Sequence, residues 1–98
     1  MKIFMVEILL PESFTPEFFK LIPRQQEAIA KQFKEGKITS YSLNEDRTKL
    51  WATALATDEE GVMDLLAEWP MIKYMRPTIH GLFFHETAQV ALPSISLN

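Results

Sequence analysis

The sequence predicts an α+β fold in which one four-stranded antiparallel sheet carries two helices on one of its faces. Three observations support this. Four stretches are β-prone, with side chains alternating at a period of two. Two stretches repeat their apolar residues near every 3.6 positions. In chain order they run β-α-β-β-α-β, the split βαβ arrangement of ferredoxin-like domains. The chain has 98 residues, 47% apolar and 23% charged, which suits one globular domain spanning residues 1–98.

The first strand covers residues 2–10. Phe4, Val6 and Ile8 share one face, and Ile3, Met5, Glu7 and Leu9 share the other. Both faces are mostly apolar, so both should be covered. Glu7 and the Pro-Glu ending argue for a strand and against a signal peptide. In the first helix, Thr15 is the expected N-cap and Pro16 the first helical residue. Phe18, Ile22, Ile29 and Phe33 should form its apolar stripe, with Gln25 and Gln26 as amides at the edge of the core. Pro23 should kink or split this helix, and Gly36 should stop it.

Residues 37–44 and 49–57 read as strands joined by the turn NEDRT. The small face of Ala52, Ala54 and Ala56 suits a closely packed helix. Thr57 and Glu60 fit a capping box for the second helix, whose core positions are Val62, Leu65, Leu66 and Trp69. Pro70 ends that helix, and MIKYM should add one short turn. The fourth strand is expected over 77–86. Residues 88–98 form an apolar tail expected to pack on a neighbouring subunit.

Two helices can cover only one face of the sheet. The other face holds Ile3, Met5, Leu9, Trp51 and Leu55, and a patch of that kind calls for a partner. The simplest partner is a second copy, sheet against sheet, giving a homodimer or higher homo-oligomer. The net charge is −3, from 10 basic and 13 acidic residues. With no basic block in view, a nucleic-acid surface is not expected. No apolar run approaches a membrane span. The lack of cysteine excludes disulfides and thiolate chemistry and fits a cytoplasmic setting.

Glu7 is the first candidate for chemistry. A carboxylate desolvated among Ile3, Met5 and Leu9 would have a raised pKa suited to proton transfer. Alternatively it is an interface glutamate paired with a lysine or arginine. Arg47 and Lys49 could hold a substrate carboxylate, or could simply be solvated beside Glu45 and Asp46. Tyr41 and Trp51 read as facing inward, either lining a pocket as hydrogen-bond donors or filling an interface. His80 and His85, five apart on a strand, point to opposite faces and cannot jointly bind a metal. No metal site is predicted. His80 reads as a strand-end histidine bonded to backbone or water.

Several of these residues form a recognisable pattern. Leu10-Pro11 closes the first strand, Glu35-Gly36-Lys37 joins helix to strand, and Pro70-Met71-Ile72-Lys73-Tyr74-Met75 fits Pro-x-x-x-Tyr-Met. Leu82 and His85 follow. Over nearly its whole length the chain resembles the muconolactone isomerase family, a branch of the dimeric α+β barrel superfamily. It departs from that family at NEDRTKLW, residues 44–51, where the isomerases carry a stretch centred on a glycine and a histidine.

The resemblance implies a cofactor-free isomerase in the breakdown of aromatic-derived compounds, moving a proton within an unsaturated lactone or related carboxylate. Such a reaction needs a base, a donor for the dienolate and a cation for the carboxylate. Glu7 and His85 would be the catalytic residues, and Tyr41, Arg47, Lys49 and Trp51 would bind substrate. The alternative is a non-catalytic dimeric barrel that binds a small hydrophobic molecule or serves assembly.

Overall fold

A computed structural model describes residues 1–88. The apolar tail expected from residue 88 onward lies, apart from that first residue, outside the described residues. The elements are β1 (Lys2–Leu9), α1 (Pro16–Lys20), α2 (Ile22–Lys34), β2 (Ile38–Leu43), β3 (Lys49–Ala56), α3 (Glu59–Ala67), a 3-10 turn (Ile72–Tyr74) and β4 (Arg76–Gly81). The strands pair antiparallel in the order β2-β3-β1-β4. This is the ferredoxin-like arrangement that the order of sequence patterns predicts. No helix among the described residues is long and apolar enough to cross a membrane.

Phe4, Val6 and Ile8 of β1 and Leu50, Ala52, Ala54 and Ala56 of β3 are buried on the helix side. Each large apolar side chain fully buried there contributes about 1.5–3 kcal/mol. The alanines let α3 approach closely. A Cβ added at Gly61 would lie 3.0 Å from the Ala56 Cβ, so the glycine that weakens α3 locally is what admits it to the sheet. The N-cap of α3 is Asp58, which accepts from the Gly61 N–H at 2.9 Å. It falls one residue after the expected Thr57, because Asp58 has the extended backbone of a cap.

Thr15 caps α1 as expected, accepting from the Phe18 N–H at 3.2 Å. The first helix is split, as Pro23 suggested. The break falls at Leu21, and Pro23 lies in the first turn of α2, where a missing N–H costs nothing. Gly36, at φ +74°, closes α2. Its N–H donates to the Phe33 carbonyl and that of Lys37 to the Gln32 carbonyl, the paired bonds of a Schellman ending.

The stripe of α2 differs from the expected one. Phe33 is 43% exposed, while Gln25 and Gln32 are buried with Ile29. Both glutamines are satisfied, which offsets the cost of burying them. Gln26 is exposed. β4 ends at Gly81, short of the expected 86, so His85 lies beyond the strand.

A bulge in β2 decides which side chains face the helices. Ile38 pairs with Ala54 and Ser40 with Thr53, and the register shifts between them. Thr39 and Ser40 both turn away from the helices and share the Thr53 hydroxyl at 2.6 and 2.7 Å. Ile38 and Tyr41 then both face the helices.

Candidate functional site

Between α1, the start of α2 and the helix side of the sheet lies a cleft of about 380 Å³. Its walls are mainly Phe14, Phe18, Phe19, Ile22, Leu50 and Met71, and Gln25, Gln26, Tyr41 and Arg47 supply the polar groups. Three phenylalanines form its α1 side: Phe14 stacks on Phe18 with ring centroids 4.4 Å apart, and Phe19 meets both edge-on. A largely apolar hollow with a few convergent polar groups is the usual form of a small-molecule site.

Tyr41 stands in this wall, edge-on to Trp69 at 5.7 Å. Its oxygen faces the Gln25 amide nitrogen at 3.3 Å. Burial raises the Tyr41 pKa above the ordinary 10.0, and the Gln25 hydrogen bond opposes that rise. The folded state therefore holds this proton more tightly than the unfolded chain does. The resulting stability is whole below pH 10, where both states are protonated, and is lost as pH climbs through the higher folded value. A difference absorbance titration, wild type minus Tyr41→Phe, is expected to show one phenol ionising above 10.0. A transition at or below that value would contradict the burial.

Arg47 is placed by a tightly bonded hairpin. The Asn44 side-chain oxygen accepts from the Thr48 and Lys49 N–H groups at 2.9 Å each, and its nitrogen donates to Asp46 at 2.6 Å and to the Thr48 hydroxyl at 2.8 Å. Arg47 adopts a left-handed backbone, φ +62°, which such a turn demands. The Leu10 N–H, donating to the Thr48 carbonyl at 2.9 Å, ties the hairpin to the end of β1. A broader outer hollow of about 900 Å³ adjoins the cleft and shares Leu10, Phe14, Arg47 and Met75 with it. Lys73, Arg76, Glu12 and Asp46 are among its lining residues.

A second cluster occupies the opposite, helix-free face. Glu7 lies 3.3 Å from the Lys49 Nζ through one carboxylate oxygen and 3.5 Å from the His80 Nε2 through the other. Trp51 is the cross-strand partner of Glu7 on β3, and Met5 that of His80 on β1. A carboxylate, an amine and an imidazole thus meet beside an indole on a half-buried surface. These groups could take up a proton, release one and hold an anion.

The six sequence candidates therefore do not form one site. Glu7, Lys49 and Trp51 share the helix-free face; Tyr41 and Arg47 line the cleft on the other side of the sheet. The expectation that Tyr41 and Trp51 face the same interior is corrected: Tyr41 pairs with Ala52, and Trp51 with Ser42. His85 lies outside both groups, and the histidine beside Glu7 is His80. The expectation that His80 bonds to backbone or water is corrected: its Nε2 faces the Glu7 carboxylate, a contact that depends on the β1–β4 register. Gln25, expected at the edge of the core, is buried in it. The available signal was its spacing: Ile22, Gln25, Ile29 and Gln32 step by three and four along one face, so both amides needed buried partners. Among the described residues, no group of three His, Cys, Asp or Glu side chains could hold a metal ion. No family model and no curated protein matches this chain.

Proposed function

We propose that this protein binds a small, largely apolar carboxylate of the unsaturated-lactone class, without metal or organic cofactor, in the cleft between α1, α2 and the sheet. The observation that carries this reading is the pairing, in one apolar cleft, of a half-buried phenol with an exposed arginine. The Tyr41 hydroxyl suits a lactone carbonyl, and the Arg47 guanidinium suits a carboxylate. The resemblance to muconolactone isomerases supplies the compound class.

Phthalide carboxylate, a stable bicyclic lactone acid, is a suitable probe. Calorimetry is expected to show it binding to the wild type. Ile22→Trp, which fills the cleft, should abolish that binding. Arg47→Asn, which tolerates the left-handed backbone, should weaken it by roughly fivefold at low salt, an exposed ion pair being worth up to about 1 kcal/mol. Unimpaired binding to a folded Ile22→Trp variant would refute the site.

A second reading is favoured by the Glu7–Lys49–His80 cluster. Among the described residues, the inner walls of the cleft carry no carboxylate or imidazole, and a phenol with a raised pKa stays protonated near neutrality and cannot serve as a base. Proton transfer of the isomerase kind would instead fall to Glu7, with His80 exchanging the proton and Lys49 holding the substrate carboxylate. His80 takes the part that the resemblance implies for His85. That face requires enclosure, and a second copy packed sheet against sheet supplies it. Ile3, Met5, Trp51 and Leu55 are only half-buried there, and Leu9 is exposed, which supports a homodimer.

A further inference from the structure

We propose that the Gln25 amide directs the Tyr41 hydroxyl proton into the cleft, so that the site selects ligands presenting an uncharged acceptor oxygen at that point. The inference rests on the cleft being the binding site and specifies the group it recognises. It follows from hydrogen-bond direction. The Met71 N–H, a backbone donor, lies 3.1 Å from the Gln25 Oε1. A donor fixes the atom it meets as the amide oxygen, so the nitrogen faces Tyr41 at 3.3 Å. Gln25 is 4% exposed, and exchanging its amide oxygen and nitrogen would set one donor against another at the Met71 N–H. The Tyr41 oxygen is therefore the acceptor in that bond, and its own proton must go elsewhere.

Among the described residues that proton has no acceptor, and Tyr41 lines the cleft. The other amide in the wall, Gln26, is exposed. A ligand carbonyl would accept the proton. A hydrocarbon of the same shape would leave the phenol unsatisfied in an apolar wall, which is how a polar site rejects an analogue that lacks the matching atom. Gln25 is a positioning residue here, and Tyr41 is the group that touches the ligand.

The test compares phthalide with indane, which has the same bicyclic frame without the oxygens. Wild type is expected to prefer phthalide by about threefold to tenfold beyond their difference in hydration, the usual worth of one hydrogen bond. Infrared difference spectra should show the bound carbonyl stretch lowered. Tyr41→Phe should remove both effects. Gln25→Glu is the sharper variant. One carboxylate oxygen would keep the Met71 N–H, and the other would take the Tyr41 proton. The phenol would remain in place with its donor turned away, so preference and infrared shift should both be lost. Retention of both in Gln25→Glu, or in Tyr41→Phe, would overturn the inference. Equal binding of the two probes by wild type would overturn it while leaving the cleft as a binding site. Binding of neither probe would overturn both.

Discussion

Gln32→Leu is expected to destabilise the fold by about 2–3 kcal/mol in urea denaturation, with no group of either candidate site touched. Gln32 is fully buried, and its oxygen accepts from the Trp69 indole N–H at 2.8 Å. Its nitrogen donates to the Leu65 carbonyl at 3.0 Å and to Glu68 at 3.1 Å. Leucine fills nearly the same space but accepts nothing. Glu68 can turn to water, and the Leu65 carbonyl keeps the Glu68 N–H at 3.1 Å. The Trp69 N–H has no such outlet, and a buried donor left unpaired costs about 1–3 kcal/mol. The loss is large against a domain stability of about 5–15 kcal/mol. Gln26→Leu, on the exposed side of α2, should stay within about 0.5 kcal/mol of wild type. Trp69→Phe removes the orphan donor, so the double variant should be less damaged than the sum of the singles by about 1 kcal/mol or more. Equal effects of Gln32→Leu and Gln26→Leu would show that the bond contributes nothing.

That network also marks the boundary of what the sequence made legible. Strand alternation, the Thr15 cap, the Gly36 stop and the spacing of Val62, Leu65, Leu66 and Trp69 are local signals, each readable from a few neighbouring residues. The element order follows from them, and so does the sheet. The sites depend on register. Regular alternation from Ile38 would carry Tyr41 to the same side as Trp51. The extra residue at Thr39–Ser40 reverses every later side chain of β2, which sends Tyr41 to the helices. Nothing in the stretch ITSYSL announces the bulge, which brings the Thr39 and Ser40 hydroxyls together on Thr53 across the strand gap. His80 presents the same difficulty. Its place beside Glu7 follows from pairing opposite Met5 on β1, a relation between residues distant in the chain. Polar residues on the core stripe of α2 are visible in the sequence, but their partners come from β2, from α3 and from the segment after it.

Glu7→Gln is expected to lower proton transfer on unsaturated lactone acids by about a hundredfold to ten-thousandfold, the usual contribution of a positioned acid or base. The same variant should bind phthalide carboxylate in the cleft as wild type does, because Glu7 lies across the sheet from it. The substitution is close to isosteric. The Glu7 backbone keeps its pairing with Trp51 and Thr78, so a loss of turnover would report the charge and not the fold. Removing the carboxylate also separates Lys49 from His80, two groups it now bridges at 3.3 and 3.5 Å. Lys49→Met should act differently. It removes the cation assigned to the substrate carboxylate, so KM should rise more than kcat falls. Enclosure is part of this mechanism, since an open sheet face would leave the reacting carbons and the carboxylate in water. Light scattering should accordingly give at least two copies per particle, and Trp51→Lys should reduce particle size and turnover together. Unchanged turnover in a folded Glu7→Gln variant, or a wild type inert towards every unsaturated lactone acid tried, would remove chemistry from this face. The cleft would then stand as the functional surface, since the Tyr41–Gln25 pair and the Arg47 guanidinium lie across the sheet from Glu7 and do not depend on it.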